Sequence, residues 1–134
     1  MKILSLTLLC LLLFCPTLHG AERRFIVNGP IVVNPGQFVS FVCGNRYYDS
    51  RISGSFRARG GSGNDIIVLI LDADAYENWI NGHASPSGCY YNSGKVTVGR
   101  FDVNVPPGFY RVVYSNAFSS VSNKVVETQV VQEN

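Results

Sequence analysis

The chain has 134 residues, with eleven Lys and Arg against nine Asp and Glu and a net charge of +2. That length fits one domain rather than two, and so balanced a charge argues against a clustered basic surface for nucleic acid. From Ala21 onward there are seventeen Val but only two Leu, Leu69 and Leu71, which favours strands and argues against a helical bundle or a doubly wound α/β fold.

Residues 1–20 open with Lys2, pass through an apolar run over 3–14 and end at Leu18-His19-Gly20. This is the form of a secretory signal, cut after Gly20. A retained signal anchor is the alternative, but the apolar run falls short of the roughly 20 residues that span a bilayer. Residues 21–134 are therefore expected to form one secreted domain with no stable membrane anchor. Export permits disulfides, and this part carries two cysteines, Cys43 and Cys89. The expectation is that they are joined; two buried free thiols are the alternative. With one histidine, His83, they cannot close a zinc site. No Asn-x-Ser/Thr sequon is present.

The remaining chain reads as short strands between Gly, Pro and Asn turns. Residues 25–27 and 31–33 form a strand interrupted at Asn28-Gly29-Pro30, and Pro30 marks an edge or a bulge. Asn34-Pro35-Gly36 has the order of a type II turn. The strand over 37–43 is apolar on both faces and is expected to be largely buried. Residues 52–59 alternate: Ile52, Gly54, Phe56 and Ala58 point one way, Ser53, Ser55, Arg57 and Arg59 the other. That is a half-buried antiparallel strand with a wet face. Residues 60–64 form a loop. The continuous apolar run 66–71 predicts a central strand covered on both sides. Residues 73–80 are the one expected helix, capped by Asp72 or Asp74. Residues 83–94 read as an irregular connection. Residues 95–105 read as one strand whose parity changes, with a bulge at Gly99-Arg100 restoring its apolar face. Residues 109–115 and 121–132 make the last strands.

The second half contains Gly54-Ser55-Phe56, then Asn64-Asp65-Ile66 entering a buried strand. It continues with Val105-Pro106-Pro107-Gly108-Phe109-Tyr110-Arg111, then Ser115-Asn116-Ala117-Phe118-Ser119, then Lys124-Val125-Val126. Over roughly residues 37–131 this pattern resembles a GOLD (Golgi dynamics) domain. The resemblance implies a jelly-roll-type β-sandwich and says nothing of the ligand. Physically, Tyr110 can pin the Pro-Pro-Gly turn through its hydroxyl, as tyrosine corners do in sandwiches. Asn116 would tolerate a left-handed strand end, and Phe118 would plug the core. The expected fold is thus all-β: an antiparallel, jelly-roll-like sandwich of seven or eight strands with at most one short helix.

No catalytic constellation assembles. His83 stands alone, and neither Gly-x-Ser-x-Gly nor His-Glu-x-x-His is present. Residues 60–63 lack the Lys-Ser/Thr of a phosphate loop. Residues 72–83 begin like a calcium loop but have Glu77 at the sixth position and His83 at the twelfth. A non-standard calcium site from Asn64, Asp65, Asp72 and Asp74 stays open, against ordinary hydrogen-bonded loop residues. No cofactor is expected. The aromatic distribution carries the functional expectation. Tyr47 and Tyr48 follow Cys43 closely, and Tyr90 and Tyr91 follow Cys89. With Trp79 they are expected to gather at one end of the sandwich as a ligand-binding patch. The alternative is that these rings close the end of the core. Arg51, Arg57 and Arg59 form a basic stripe suited to solvation or to acidic partners. The reading is a secreted, non-catalytic binding domain for a glycan, a lipid headgroup or a protein. A small hydrolase and a self-associating extracellular layer component are the alternatives.

Overall fold

A computed structural model describes residues 22–134. The expected signal over residues 1–20 lies outside the described residues. Eight strands and one helix follow in the order β1 (Arg23–Val33), β2 (Phe38–Asn45), β3 (Ser50–Arg59), β4 (Ile66–Asp72), α1 (Ala73–Ile80), β5 (Cys89–Val96), β6 (Val98–Val105), β7 (Gly108–Ser115) and β8 (Lys124–Glu133). They form two four-stranded antiparallel sheets. Sheet A has the order β1-β8-β3-β6 and sheet B the order β2-β7-β4-β5. Successive strands thus alternate between sheets, apart from the β4–β5 hairpin, which is the strand sharing of an eight-stranded jelly roll.

The core lies between the sheets. Ile52, Phe56 and Ala58 of β3 enter it, as the alternation predicts, together with Ile66, Val68 and Ile70 of β4 and Val126 and Val130 of β8. Two glycines make room for rings. Gly54 pairs directly with Phe101, and Phe56 with Gly99. A Cβ at Gly54 would meet the Phe101 ring at 2.7 Å. Polar side chains then tie one sheet to the other. Fully buried Gln132 of β8 accepts from the Gly44 N–H of β2 at 2.8 Å and donates to its carbonyl at 3.1 Å. The Tyr114 and Thr128 hydroxyls share a bond of 2.6 Å, and burial pushes the Tyr114 phenol up to about 12.

The local expectations hold at several points. β1 is an edge strand, as Pro30 predicts, but it is not interrupted: it runs unbroken and paired to β8 through Asn28-Gly29-Pro30, and its register shifts between Phe25 and Val27 instead. Gly36 has φ +70°, and the Gln37 N–H donates to the Asn34 carbonyl at 3.1 Å, closing the turn. Tyr110 donates its hydroxyl to the Pro106 carbonyl at 2.7 Å. Asp72, rather than Asp74, caps α1, accepting from the Ala75 N–H at 2.8 Å.

Others are corrected. Strand β2 is an edge of sheet B and is half exposed rather than largely buried. Part of the segment expected to be irregular is β5, paired with β4 from Leu71–Cys89 onward. The parity change over 95–105 is no bulge. The chain leaves sheet B after Val96, bends at Thr97 and enters sheet A at Val98. Asn116 has no positive φ; it acts by donating to the Val33 and Ser122 carbonyls. Phe118 is partly exposed, with the Lys95 ammonium 4.6 Å from its ring centre, so it does not plug the core.

The expected disulfide is also corrected. Cys43 and Cys89 are free thiols on β2 and β5, the two outer strands of sheet B. Strands β7 and β4 lie between them, a separation of roughly 14 Å at the usual strand spacing. A disulfide needs about 5.5 Å between Cα atoms. Cys43 points into the core, and its burial pushes the thiol up to about 12.

Candidate functional site

Helix α1 lies on the outer face of sheet B and uses two of its own faces. Ala75 packs on Leu69, Leu71 and Val113 of the sheet beneath, with Tyr76 and Trp79 at the margin of that cluster. Ala73, Tyr76, Glu77 and Ile80 sit at spacings i, i+3, i+4 and i+7, so they form a second stripe. That stripe is one wall of an open groove of about 590 Å³. The floor comes from β2 and β7, where Val42 pairs with Arg111 and Gly44 with Phe109. Val42, Ile80 and Phe109 remain 49%, 46% and 56% exposed. Apolar side chains so open around one concavity are the usual mark of a recognition surface.

Arg111 is the polar group of this groove. It is half-buried, and its guanidinium lies 4.9 Å from the Tyr76 ring centre. Its one side-chain hydrogen bond is a 3.4 Å contact to the Ser40 hydroxyl, and it forms no ion pair among the described residues. A guanidinium carries five N–H donors in a planar fork, so most of them stay open. Glu77 contributes a carboxylate to the rim without pairing to Arg111.

The five aromatic residues expected to gather are not brought together. Trp79 packs edge-on against Phe38 at 4.9 Å and stacks beside Tyr76 at 6.5 Å, so it flanks the groove. Tyr47 and Tyr48 are 73% and 67% exposed in the β2–β3 loop, where both backbone N–H groups donate to the Asn45 side chain. Asn45 pairs with Gly108, which puts that loop at the Phe109 end of sheet B. Tyr90 lies edge-on to Tyr110 at 5.4 Å, and Tyr91 turns inward against Phe101 at 5.2 Å. The disulfide geometry that motivated a single cluster is absent, and the rings divide accordingly. Val42, Phe109, Arg111 and Ile80 were missed by sequence reasoning. A signal existed for two of them: Phe109 and Arg111 share the outward parity of β7, and an apolar residue there has no partner along the chain.

The calcium alternative also separates. Asp65 and Asp72 bracket β4, roughly 23 Å apart for seven strand residues. Asp65 pairs with Lys124, Asp72 caps the helix, and Asn64 accepts from the Gly60 N–H.

No protein-family model matches the chain, and no curated protein matches it. Among solved structures, a mutant of a carbohydrate binding module family 29 superposes with a TM-score of 0.47 and 12% sequence identity. The match covers 84% of this chain and 92% of that one.

Proposed function

We propose that the protein is an exported, non-catalytic binding domain that holds an anionic ligand with an apolar body in the groove between α1 and sheet B. The observation that carries this reading is Arg111: a half-buried guanidinium without a counter-ion among the described residues, set among the exposed Val42, Ile80 and Phe109 side chains. A carboxylate or similar anion would take the open donors, with charge-assisted bonds stronger than neutral ones. The ligand's apolar part would cover the exposed side chains. Trp79 belongs to the site through Tyr76, and Tyr47 and Tyr48 are proposed as outlying contacts at the Phe109 end.

Trp79 is the only tryptophan, which makes it a reporter of the groove. Titration of residues 21–134 with decanoate should shift its emission at lower concentration than decanol does. Arg111→Gln should remove the difference between the two, and Phe109→Ser should weaken both. Equal responses to decanoate and decanol in the unaltered protein would count against the reading, as would no response to either.

A further inference from the structure

The opposite face of the molecule carries an independent surface. The outward side chains of sheet A fall in rows across the strands, because β1, β8, β3 and β6 are in register. One row runs Asn28, Gln129, Ser55, Arg100. It lies between two shallow depressions of about 450 and 500 Å³ that share Ser55, Arg100 and Gln129. Five arginines stand on this face, Arg23, Arg51, Arg57, Arg59 and Arg100, against the carboxylates of Asp102, Glu127 and Glu133. Each carboxylate already has an arginine: Asp102 has Arg51, Glu127 has Arg59, and Glu133 has Arg23 and Arg51. Arg57 and Arg100 are left without an ion pair among the described residues. Residues 21–134 carry ten basic against nine acidic groups, so this face holds more than the whole net charge of that segment.

We infer that this face of sheet A binds an acidic polysaccharide laid along the central row. Arg57 pairs with Val98, two residues from Arg100 on the same side of β6. The two free guanidinium groups thus belong to diagonal neighbours, residues about 7–8 Å apart and within reach of each other's long side chains. That places two planar forks for carboxylate or sulfate side by side. Between and beside them, Gln129 donates one N–H to Asn28 Oδ1 at 3.3 Å, and Asn28, Gln129 and Ser55 each keep both a donor and an acceptor, which is what sugar hydroxyls require. An acidic peptide is the competing occupant, and the surface suits it less. Pairing of an extended peptide's backbone to a strand edge is one common mode of peptide capture, and it is closed to the centre of a sheet, whose backbone groups are spent within the sheet.

The test is binding of residues 21–134 to immobilised polygalacturonate, with dextran and polyglutamate as comparison polymers. Polygalacturonate should bind, and rising salt should weaken it as charges are screened. Dextran should bind weakly or not at all. Arg57→Gln and Arg100→Gln should each weaken polygalacturonate binding about ten-fold, the change expected from losing one charge-assisted contact. Arg46→Gln removes the same charge from the β2–β3 loop and should leave binding unchanged. Thermal melts that match the parent would show that the variants are folded. The inference is overturned if polyglutamate binds as tightly as polygalacturonate through the same arginines, if dextran binds equally, or if the two variants bind like the parent. Decanoate titration of Trp79 in the same variants keeps the groove separate, since neither arginine touches it.

Discussion

Lys124 is the side chain whose burial is hardest to sustain. It is 3% exposed, and its ammonium donates to the Gly60 carbonyl at 2.8 Å and to Asp65 Oδ1 at 3.0 Å. A buried cation is tolerated only with such partners. The Lys124 hydrogen bond in turn holds the Asp65 carboxyl below its usual value. A carboxyl depressed on folding stabilises the native state above its unfolded value of about 3.9, and that contribution is lost as pH falls through the folded value. Asp65→Asn should therefore cost about 3 kcal/mol at pH 7, because the ammonium is left buried without its counter-charge. Lys124→Met should cost less, since Asp65 can turn to water. Urea melts at pH 7 and at falling acid pH measure both: the Asn variant should differ most from its parent at pH 7, and the difference should narrow as the pH drops below the unfolded carboxyl value. The cysteines give a second check at this scale. Cys43 is buried with its thiol pushed up to about 12, whereas Cys89 is exposed. Iodoacetamide should modify native residues 21–134 once, at Cys89, and twice after unfolding. Mass spectrometry showing no modification in either state would restore the disulfide.

Among the elements, α1 links stability to the groove, because one of its stripes packs on the sheet while the other forms the wall. Its start depends on the Asp72 carboxylate accepting from the Ala75 N–H. Asp72→Ala should cost about 1 kcal/mol in thermal or urea unfolding. The same variant should weaken decanoate binding, because Tyr76 and Ile80 would be less firmly placed over Arg111. Loss of stability without loss of binding would separate the helix from the site. The bounds of α1 and the burial of β4 were legible because each rests on local pattern. Residues 73–80 follow a capping Asp and precede Asn81-Gly82, and residues 66–71 leave no position for water. The β5–β6 boundary was not legible. Val96 and Val98 both look like members of one strand, and only the pairing of β5 with β4 and of β6 with β3 shows that the chain changes sheets at Thr97. The groove was hidden for a similar reason. Phe109 and Arg111 come from β7, Val42 from β2 and Ile80 from α1, and no spacing along the chain announces their meeting.

At the scale of the whole molecule, the question is how two sheets with open outer faces hold one register. Apolar packing between them is roughly proportional to area and carries no direction. Direction comes from the polar contacts that cross the core, and Gln132 makes the most demanding of them. Its amide satisfies both backbone groups of Gly44 and also donates to Asn134 Oδ1 at 2.8 Å. Gly44 has φ +94°, and a Cβ there would meet the Gly108 carbonyl oxygen and the Tyr110 ring at 2.7 Å, so the glycine is as constrained as the glutamine that clamps it. Gln132→Leu keeps the volume close but leaves a buried N–H and a buried carbonyl without partners. Each such group costs about 1–3 kcal/mol. The variant should lose roughly 2–4 kcal/mol in urea unfolding, more than its small change in shape would explain. Native-state hydrogen exchange gives the sharper reading. The Gly44 amide should lose protection by more than the amides of Ile66, Val68 and Ile70, which lie in β4 away from the clamp. A uniform loss across all four would mean that Gln132 contributes only to global stability and does not fix the register of β8 against β2.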